Sequence, residues 1–191
     1  MATFNIAYLR TYVYERGYVN DPIDPGGETY NGISRKNFPN WAGWKIVDTL
    51  KKAPNFPKSL EVDVSLQDAK KQFYKVNFWD KIQGDKISDQ YLANELYDCA
   101  VNMGVDRATT FLQQALNVLN RNASLYPDIT VDGDFGPGTL KAFNVYLKVD
   151  KADLLLKVLW ILRGSFYVQI MQKTSSQEKY ARGWLSRVIV K

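Results

Sequence analysis

The segment of residues 14–33, YERGYVNDPIDPGGETYNGI, constrains the fold most, because its four glycines and two prolines cannot continue a helix. The residues before it carry apolar side chains at three- and four-residue spacing, a period that predicts a helix over 3–16. These are Ile6, Leu9 and Val13. We therefore expect a helix followed by a polar loop over residues 18–34, with a short hairpin around 28–33.

Three polar side chains in this segment suit acid–base chemistry. Glu15 ends the helix, Asp24 follows nine positions later in a tight turn, and Thr29 comes five residues after that. Hydrolysis of a glycosidic bond needs a proton donor and, across from it, an anion or a positioned water. A purely structural alternative stays open, in which Glu15 is an exposed carboxylate or pairs with an arginine, and Asp24 is a turn residue.

Histidine is absent from the chain. This excludes Ser-His-Asp and Cys-His catalysis and most zinc sites, and leaves carboxylates as the acid–base groups. The single cysteine, Cys99, excludes an internal disulfide and sits among apolar residues, so we expect a buried thiol.

The same segment resembles the signature of glycoside hydrolase family 108, the bacterial and phage muramidases, some of which are called secretion activator proteins. The family pattern runs Glu-Gly-Gly-Tyr-x-Asn and then Asp-x-Gly-Gly-x-Thr-x-x-Gly-Ile. Here the chain reads ERGYVN over residues 15–20 and DPGGETYNGI over residues 24–33, with Arg16 in place of a glycine.

The resemblance implies an all-α, lysozyme-like fold with a small loop or β-hairpin lobe near residues 18–34. It implies cleavage of the β-1,4 bond between N-acetylmuramic acid and N-acetylglucosamine, with Glu15 as general acid and with Asp24 and Thr29 positioning water or stabilising the oxocarbenium-like state. The candidate sugar contacts are Tyr18, Asn20, Tyr30 and Asn102. It implies no cofactor and no metal. The alternative function is a non-catalytic wall-binding or secretion-assisting protein that retains the fold.

The second half resembles the peptidoglycan-binding module found C-terminal in this family. The resemblance lies in residues 111–117, FLQQALN, and residues 131–144, VDGDFGPGTLKAFN. Asp-Gly makes a tight turn and Pro137 suits the first position of a helix, so we interpret this turn as scaffold. The predicted division is a catalytic region, 1–90, and a helical peptidoglycan-binding-like region, 91–191, packed on it as one compact unit.

Apolar periodicity and capping residues predict further helices. Ser65, Ser88 and Asp106 are the predicted N-caps of three of them. A longer helix is predicted from Asp150 to about Lys173, and its part 154–162 is apolar almost all round, which predicts a central, buried helix. The other predicted helices are 44–50, 66–79, 88–103, 106–119 and 140–147.

The net charge of +5 and the sequence pI of about 9.1 suit an anionic partner such as the cell-wall polymer peptidoglycan. No block of basic residues and no nucleic-acid motif is present, so nucleic acid is not expected, although a general anion-binding helical protein stays open.

No apolar run reaches ~18 residues, which predicts no membrane span. The N-terminus lacks the pattern of a signal peptide. We expect a monomer made in the cytoplasm that acts on the wall after release or export.

Overall fold

A computed structural model describes residues 1–12, 17–21 and 27–188. The chain is mainly helical with one small antiparallel sheet, which confirms the predicted fold class. The helices and strands run in the order α1 Phe4–Tyr12, β1 Tyr18–Val19, β2 Thr29–Tyr30, β3 Ile33–Ser34, α2 Gly43–Leu50, α3 Ser59–Val62, α4 Val64–Tyr74, α5 Gln90–Met103, α6 Val105–Val118, α7 Pro137–Val149, α8 Ala152–Lys173 and α9 Ala181–Leu185. A π-helical turn, Lys75–Trp79, extends α4, and 3₁₀ turns occupy Gly84–Lys86 and Ser175–Tyr180.

The sheet has the order β1-β2-β3, and both strand pairs are antiparallel. The turn between β2 and β3 consists of Asn31 and Gly32, whose φ angles are 45° and 82°. Two successive positive φ angles in an Asn-Gly pair form the tight turn whose twist matches a hairpin. The predicted hairpin is therefore present, and β1 adds a third strand to it.

The predicted helix starts were displaced by one or two residues. Asp63 caps α4 by accepting a hydrogen bond from the Leu66 N–H at 2.8 Å, so Ser65 lies inside the helix. Asp89 caps α5 in the same way and replaces Ser88. The physical reason is that Asp63 and Asp89 have the extended backbone of an N-cap and a carboxylate that reaches the first turn. At α6 the cap position is Gly104, and Asp106 lies in the first turn.

The core beneath the sheet lobe is built from aromatic rings. Phe4 on α1 contacts Tyr97 on α5 edge-on, at 5.8 Å between ring centroids, and Trp79 at the same distance. Tyr8, one turn later on α1, packs against Tyr74 on α4. These contacts fix α1, whose end leads into the motif, against α4 and α5.

The long helix α8 was predicted to be central and buried, and this was wrong. One face, which includes Leu155 and Leu159, is buried, but Ile161 on another face is 65% exposed. The apolar pattern runs all round the helix, whereas its neighbours α5, α6 and the C-terminal turns cover one side only. The helix α8 is also long and apolar enough to cross a membrane. Only 28% of its apolar 18-residue stretch is buried inside the protein. The expected absence of a membrane span stays a prediction.

A buried ion network joins α5 to α8. The Arg163 side chain is 1% exposed, and its guanidinium lies 2.7 Å from Glu95 Oε1 and 2.6 Å from Asp98 Oδ2. Arg187, after α9, reaches the other oxygen of Asp98 at 3.0 Å. The Arg163 Nε also donates to the hydroxyl of Tyr167. Two carboxylates of α5 are thus neutralised by two arginines that lie in α8 and after α9.

Candidate active site

The predicted acid Glu15 and its partner Asp24 lie outside the described residues, so their roles stay predictions. The structure does describe the chain beside them. The N–H of Asn31 donates to the carbonyl of Gly17 at 3.1 Å, and the Tyr74 hydroxyl donates to the carbonyl of Asn31 at 2.6 Å. The hairpin turn is therefore tied both to the residue two positions after Glu15 and to helix α4.

Thr29 lies in the middle strand of the sheet, opposite Val19 on one side and Ser34 on the other. It is half-buried, and its hydroxyl donates to the carbonyl of Gly27 at 3.1 Å. Because the hydroxyl proton is used in this way, the Thr29 oxygen is left with only acceptor capacity for a further partner.

Tyr18 and Glu28 form a polar cluster on the same lobe. The Tyr18 hydroxyl donates to Glu28 Oε1 at 3.0 Å, and its ring lies edge-on to Phe56. Burial raises the pKa of Tyr18, and the neighbouring Glu28 carboxylate raises it further. Tyr18 is thus a neutral hydroxyl in a fixed position, which suits the predicted sugar contact.

Glu28 is a carboxylate in the motif that the sequence analysis did not single out. Its oxygens lie 2.8 Å from Arg35 Nε and 2.7 Å from Lys51 Nζ, and Arg35 also binds Asp48 with two hydrogen bonds. Both of its oxygens are thus engaged, one by Arg35 and the other by Lys51 and the Tyr18 hydroxyl. Glu28 therefore positions Tyr18. In the sequence, the basic residues that could have indicated this arrangement are Arg35 and Lys51.

A second carboxylate near the motif is Glu61 at the end of α3. Its Oε1 lies 3.6 Å from the point where a Cβ would stand on Gly17. Glu61 is exposed, in contrast to Glu28. Its carboxylate lies beside Gly17, in the segment that follows Glu15.

Tyr30 was predicted to contact sugar, and the structure instead places it in the core with 0% exposure. Its hydroxyl donates to the carbonyl of Leu60 and accepts from Gln67, while its ring stacks on Trp41 at 6.3 Å. Side chains alternate between the two faces of a strand, so Tyr30 points inward where its neighbour Thr29 does not. A fully buried ring presents no surface to a ligand.

The remaining predicted contacts are exposed. Asn20 lies just beyond the end of β1, and Asn102 lies in the last turn of α5, where its amide donates to the carbonyl of Asp98 at 2.7 Å. Tyr18 and Thr29 lie on neighbouring strands, but Tyr18 is opposite Tyr30 and Thr29 is opposite Val19, so their side chains point to opposite faces of the sheet. Asn102 belongs to a different element.

Lys70 lies beneath the lobe and is only 2% exposed. Its ammonium donates to Gln67 at 2.5 Å and lies 5.8 Å from the centre of the Tyr30 ring. Burial lowers the pKa of Lys70 to about 8, although the Glu61 charge opposes this shift. The core beneath the motif therefore contains a lysine whose charge changes near pH 8.

Lys70→Met is expected to change how stability depends on pH. The folded pKa of about 8 lies below the ordinary value of 10.5, so between these values the unfolded chain binds a proton that the folded chain does not. Wild-type stability should therefore rise with pH through this window, relative to the variant, by on the order of 2 kcal/mol. Urea unfolding of both proteins at about pH 7, 8, 9 and 10 measures the difference. Parallel stability curves across this range would contradict the assignment.

The Asp-Gly turn of the second half is held by one buried amide, Gln113, which the sequence analysis had placed only as part of a motif. Its Nε2 donates to Asp132 Oδ1 at 2.8 Å and lies 3.0 Å from both the Asp134 carbonyl and the Thr139 hydroxyl. Its Oε1 accepts from the N–H of Gly133 at 2.9 Å. Gln113 of α6 thus holds the turn in place, in agreement with the interpretation of this turn as scaffold. Among residues 1–12, 17–21 and 27–188, no group of three potential metal ligands is present.

Comparison with known proteins identifies two regions. The family model described as Glycosyl hydrolase 108 matches residues 9–104, and the model described as Predicted Peptidoglycan domain matches residues 107–189. The first match ends at Gly104, between α5 and α6, and the second begins at Arg107 in the first turn of α6. A search of curated proteins found no match.

A solved structure described as that of Brucella abortus SagA is similar over nearly the whole chain. It has 26% sequence identity and a TM-score of 0.62, and the similarity covers 97% of this chain and 88% of that one. The match to the first family model spans half of the sequence and includes the whole Glu15–Ile33 motif. The chain is therefore a peptidoglycan-acting glycosyl hydrolase and belongs to glycosyl hydrolase family 108.

Proposed function

We propose that this protein is an N-acetylmuramidase that cleaves the β-1,4 bond between N-acetylmuramic acid and N-acetylglucosamine. The observation that carries the proposal is the motif itself, which lies inside the region matched by the family model. The peptidoglycan domain that follows it supports the wall polymer as substrate.

In this proposal Glu15 protonates the leaving oxygen. An acid of this kind must hold its proton near neutral pH, which requires a pKa raised by partial burial. Asp24 stabilises the positive charge that develops on the sugar ring or orients the attacking water. Thr29, whose proton is committed to the Gly27 carbonyl, accepts a hydrogen bond from that water.

The described residues support this arrangement in one further way. Strands β1 and β2 pair across the loop that contains Asp24, so Tyr18 lies opposite Tyr30 and Val19 opposite Thr29. This pairing brings both flanks of the loop together. We propose that Tyr18, fixed by Glu28, binds the substrate at this point, and that the enzyme meets the wall after release or export from the cytoplasm.

The products of digestion test the bond specificity. Purified peptidoglycan is digested, the new reducing ends are reduced with borohydride, and the fragments are analysed by mass spectrometry. A muramidase leaves reduced N-acetylmuramic acid at every new end. Reduced N-acetylglucosamine would overturn the proposed bond. Binding to the wall without soluble fragments would instead support the non-catalytic alternative.

A further inference from the structure

A concave site lies on the surface of the region matched as hydrolase. It has a volume of about 530 Å³, within the range of ~300–1,000 Å³ that is typical of small-ligand sites. It lies between the segment that follows β3 and the outer side of α4. No residue of the motif lines it among those the structure describes. We call it the Trp41 pocket.

Aromatic rings form its wall. Phe38 and Trp41 both pack edge-on against Phe73, at 4.7 Å and 6.0 Å between ring centroids. Trp41 and Phe38 are half-buried, so part of each ring faces solvent. Since the face of an aromatic ring is negative, it attracts the weakly positive C–H groups on the apolar face of a sugar ring.

The indole of Trp41 is held in one orientation. Its Nε1–H donates to the carbonyl of Ala69 at 3.3 Å, and its inner face stacks on the buried Tyr30. The ring also lies directly over Gly43, where a Cβ would stand only 2.2 Å from a ring carbon. Gly43 is therefore required for this placement, and the ring is a rigid wall that loses little freedom when a ligand binds.

Amide side chains form the rim. Asn37, Asn40, Gln72 and Asn77 line the opening, and the first three are exposed. Within the described part of the chain the side-chain amides of Asn37, Asn40 and Gln72 make no hydrogen bond to protein, while that of Asn77 donates to the Phe73 carbonyl. An amide offers both donors and an acceptor, which suits hydroxyl and acetamido groups.

The described lining contains no charged residue. A sugar with a carboxylate, such as N-acetylmuramic acid, would find no cation there, whereas N-acetylglucosamine is neutral. We propose that the Trp41 pocket binds an uncharged N-acetylhexosamine ring, such as an N-acetylglucosamine unit of a glycan strand, outside the catalytic motif. This inference rests on the glycan as ligand class, as in the proposed function, and does not depend on Glu15.

The test uses the full chain carrying Glu15→Gln, so that the ligand is not consumed, and N-acetylglucosamine trimer as the probe. In ¹H–¹⁵N spectra the Trp41 indole N–H and the side-chain amides of Asn40 and Gln72 should shift on titration. The double variant Asn40→Ala/Gln72→Ala should weaken this binding by roughly fivefold to tenfold, because two hydrogen bonds are lost. The matched control is Asn144→Ala on α7, an exposed amide outside the pocket, which should bind as before.

Gly43→Ala supplies a second variant, because it displaces the indole and leaves the rim amides in place. Far-ultraviolet circular dichroism checks that it folds, and a folded variant should lose the Trp41 shift. Shifts confined to residues 17–33, or shifts at the pocket caused by a free stem peptide and not by the sugar, would overturn the inference. Hydrolysis by Glu15→Gln at the wild-type rate would overturn the acid role and leave the result at the pocket unaffected.

Discussion

Replacement of Glu15 by Gln should lower the rate of peptidoglycan hydrolysis by about 10²–10⁴-fold, because an amide of the same shape cannot transfer the proton to the leaving oxygen. The loss of turbidity of a purified wall suspension measures the rate. Wall binding should persist, since Gln retains the size and hydrogen-bonding groups of the side chain. Cosedimentation with the wall provides that second measurement.

The matched control is Glu178→Gln, which removes an exposed carboxylate in the C-terminal 3₁₀ turn and should leave the rate unchanged. Equal clearing by the wild type and Glu15→Gln would remove Glu15 from the mechanism. If neither protein clears the wall and both bind it, the non-catalytic alternative is supported.

Loss of Arg163 should have the largest effect on stability. Arg163→Met leaves Glu95 without the guanidinium that neutralises it and leaves Asp98 with Arg187 alone. Removing one partner of a buried ion pair costs about 3–5 kcal/mol, because the remaining charge stays desolvated. Urea unfolding followed by circular dichroism measures the change.

Arg121→Met provides the comparison, since Arg121 pairs with Asp150 at 2.9 Å but is 56% exposed. Exposed ion pairs contribute about 0–1 kcal/mol, so this variant should unfold close to the wild-type midpoint. If both variants lost a similar free energy of unfolding, the buried Arg163 network would stabilise the fold no more than an exposed ion pair does.

Local pattern was sufficient to predict much of this fold. Apolar patterns and capping residues placed α5 and α8 within a few residues of their observed bounds, and the turn residues of the motif predicted a hairpin around residues 28–33. Helix starts were harder to predict, because Asp89 and Ser88 are adjacent and both can cap. Which of them does so depends on the backbone angles that the preceding turn imposes.

Contacts between distant residues were not predictable in this way. Arg163 and Glu95 are 68 positions apart, and nothing in either local sequence indicates that they meet in the core. The exposed face of α8 also depends on which neighbours pack on it, and an apolar pattern all round a helix does not carry that information. In the candidate site the motif identified the segment, but only the strand register separated the inward Tyr30 from Thr29.

The Arg163 network bears on how members of this family can be recombined. Its acidic half, Glu95 and Asp98, lies in the region matched as hydrolase, and its basic half lies in the region matched as peptidoglycan domain. The two matched regions thus share a buried ion network and are not independent domains joined by a flexible linker. A chimaera that exchanges the C-terminal region must carry the two arginines along, or else replace both acids.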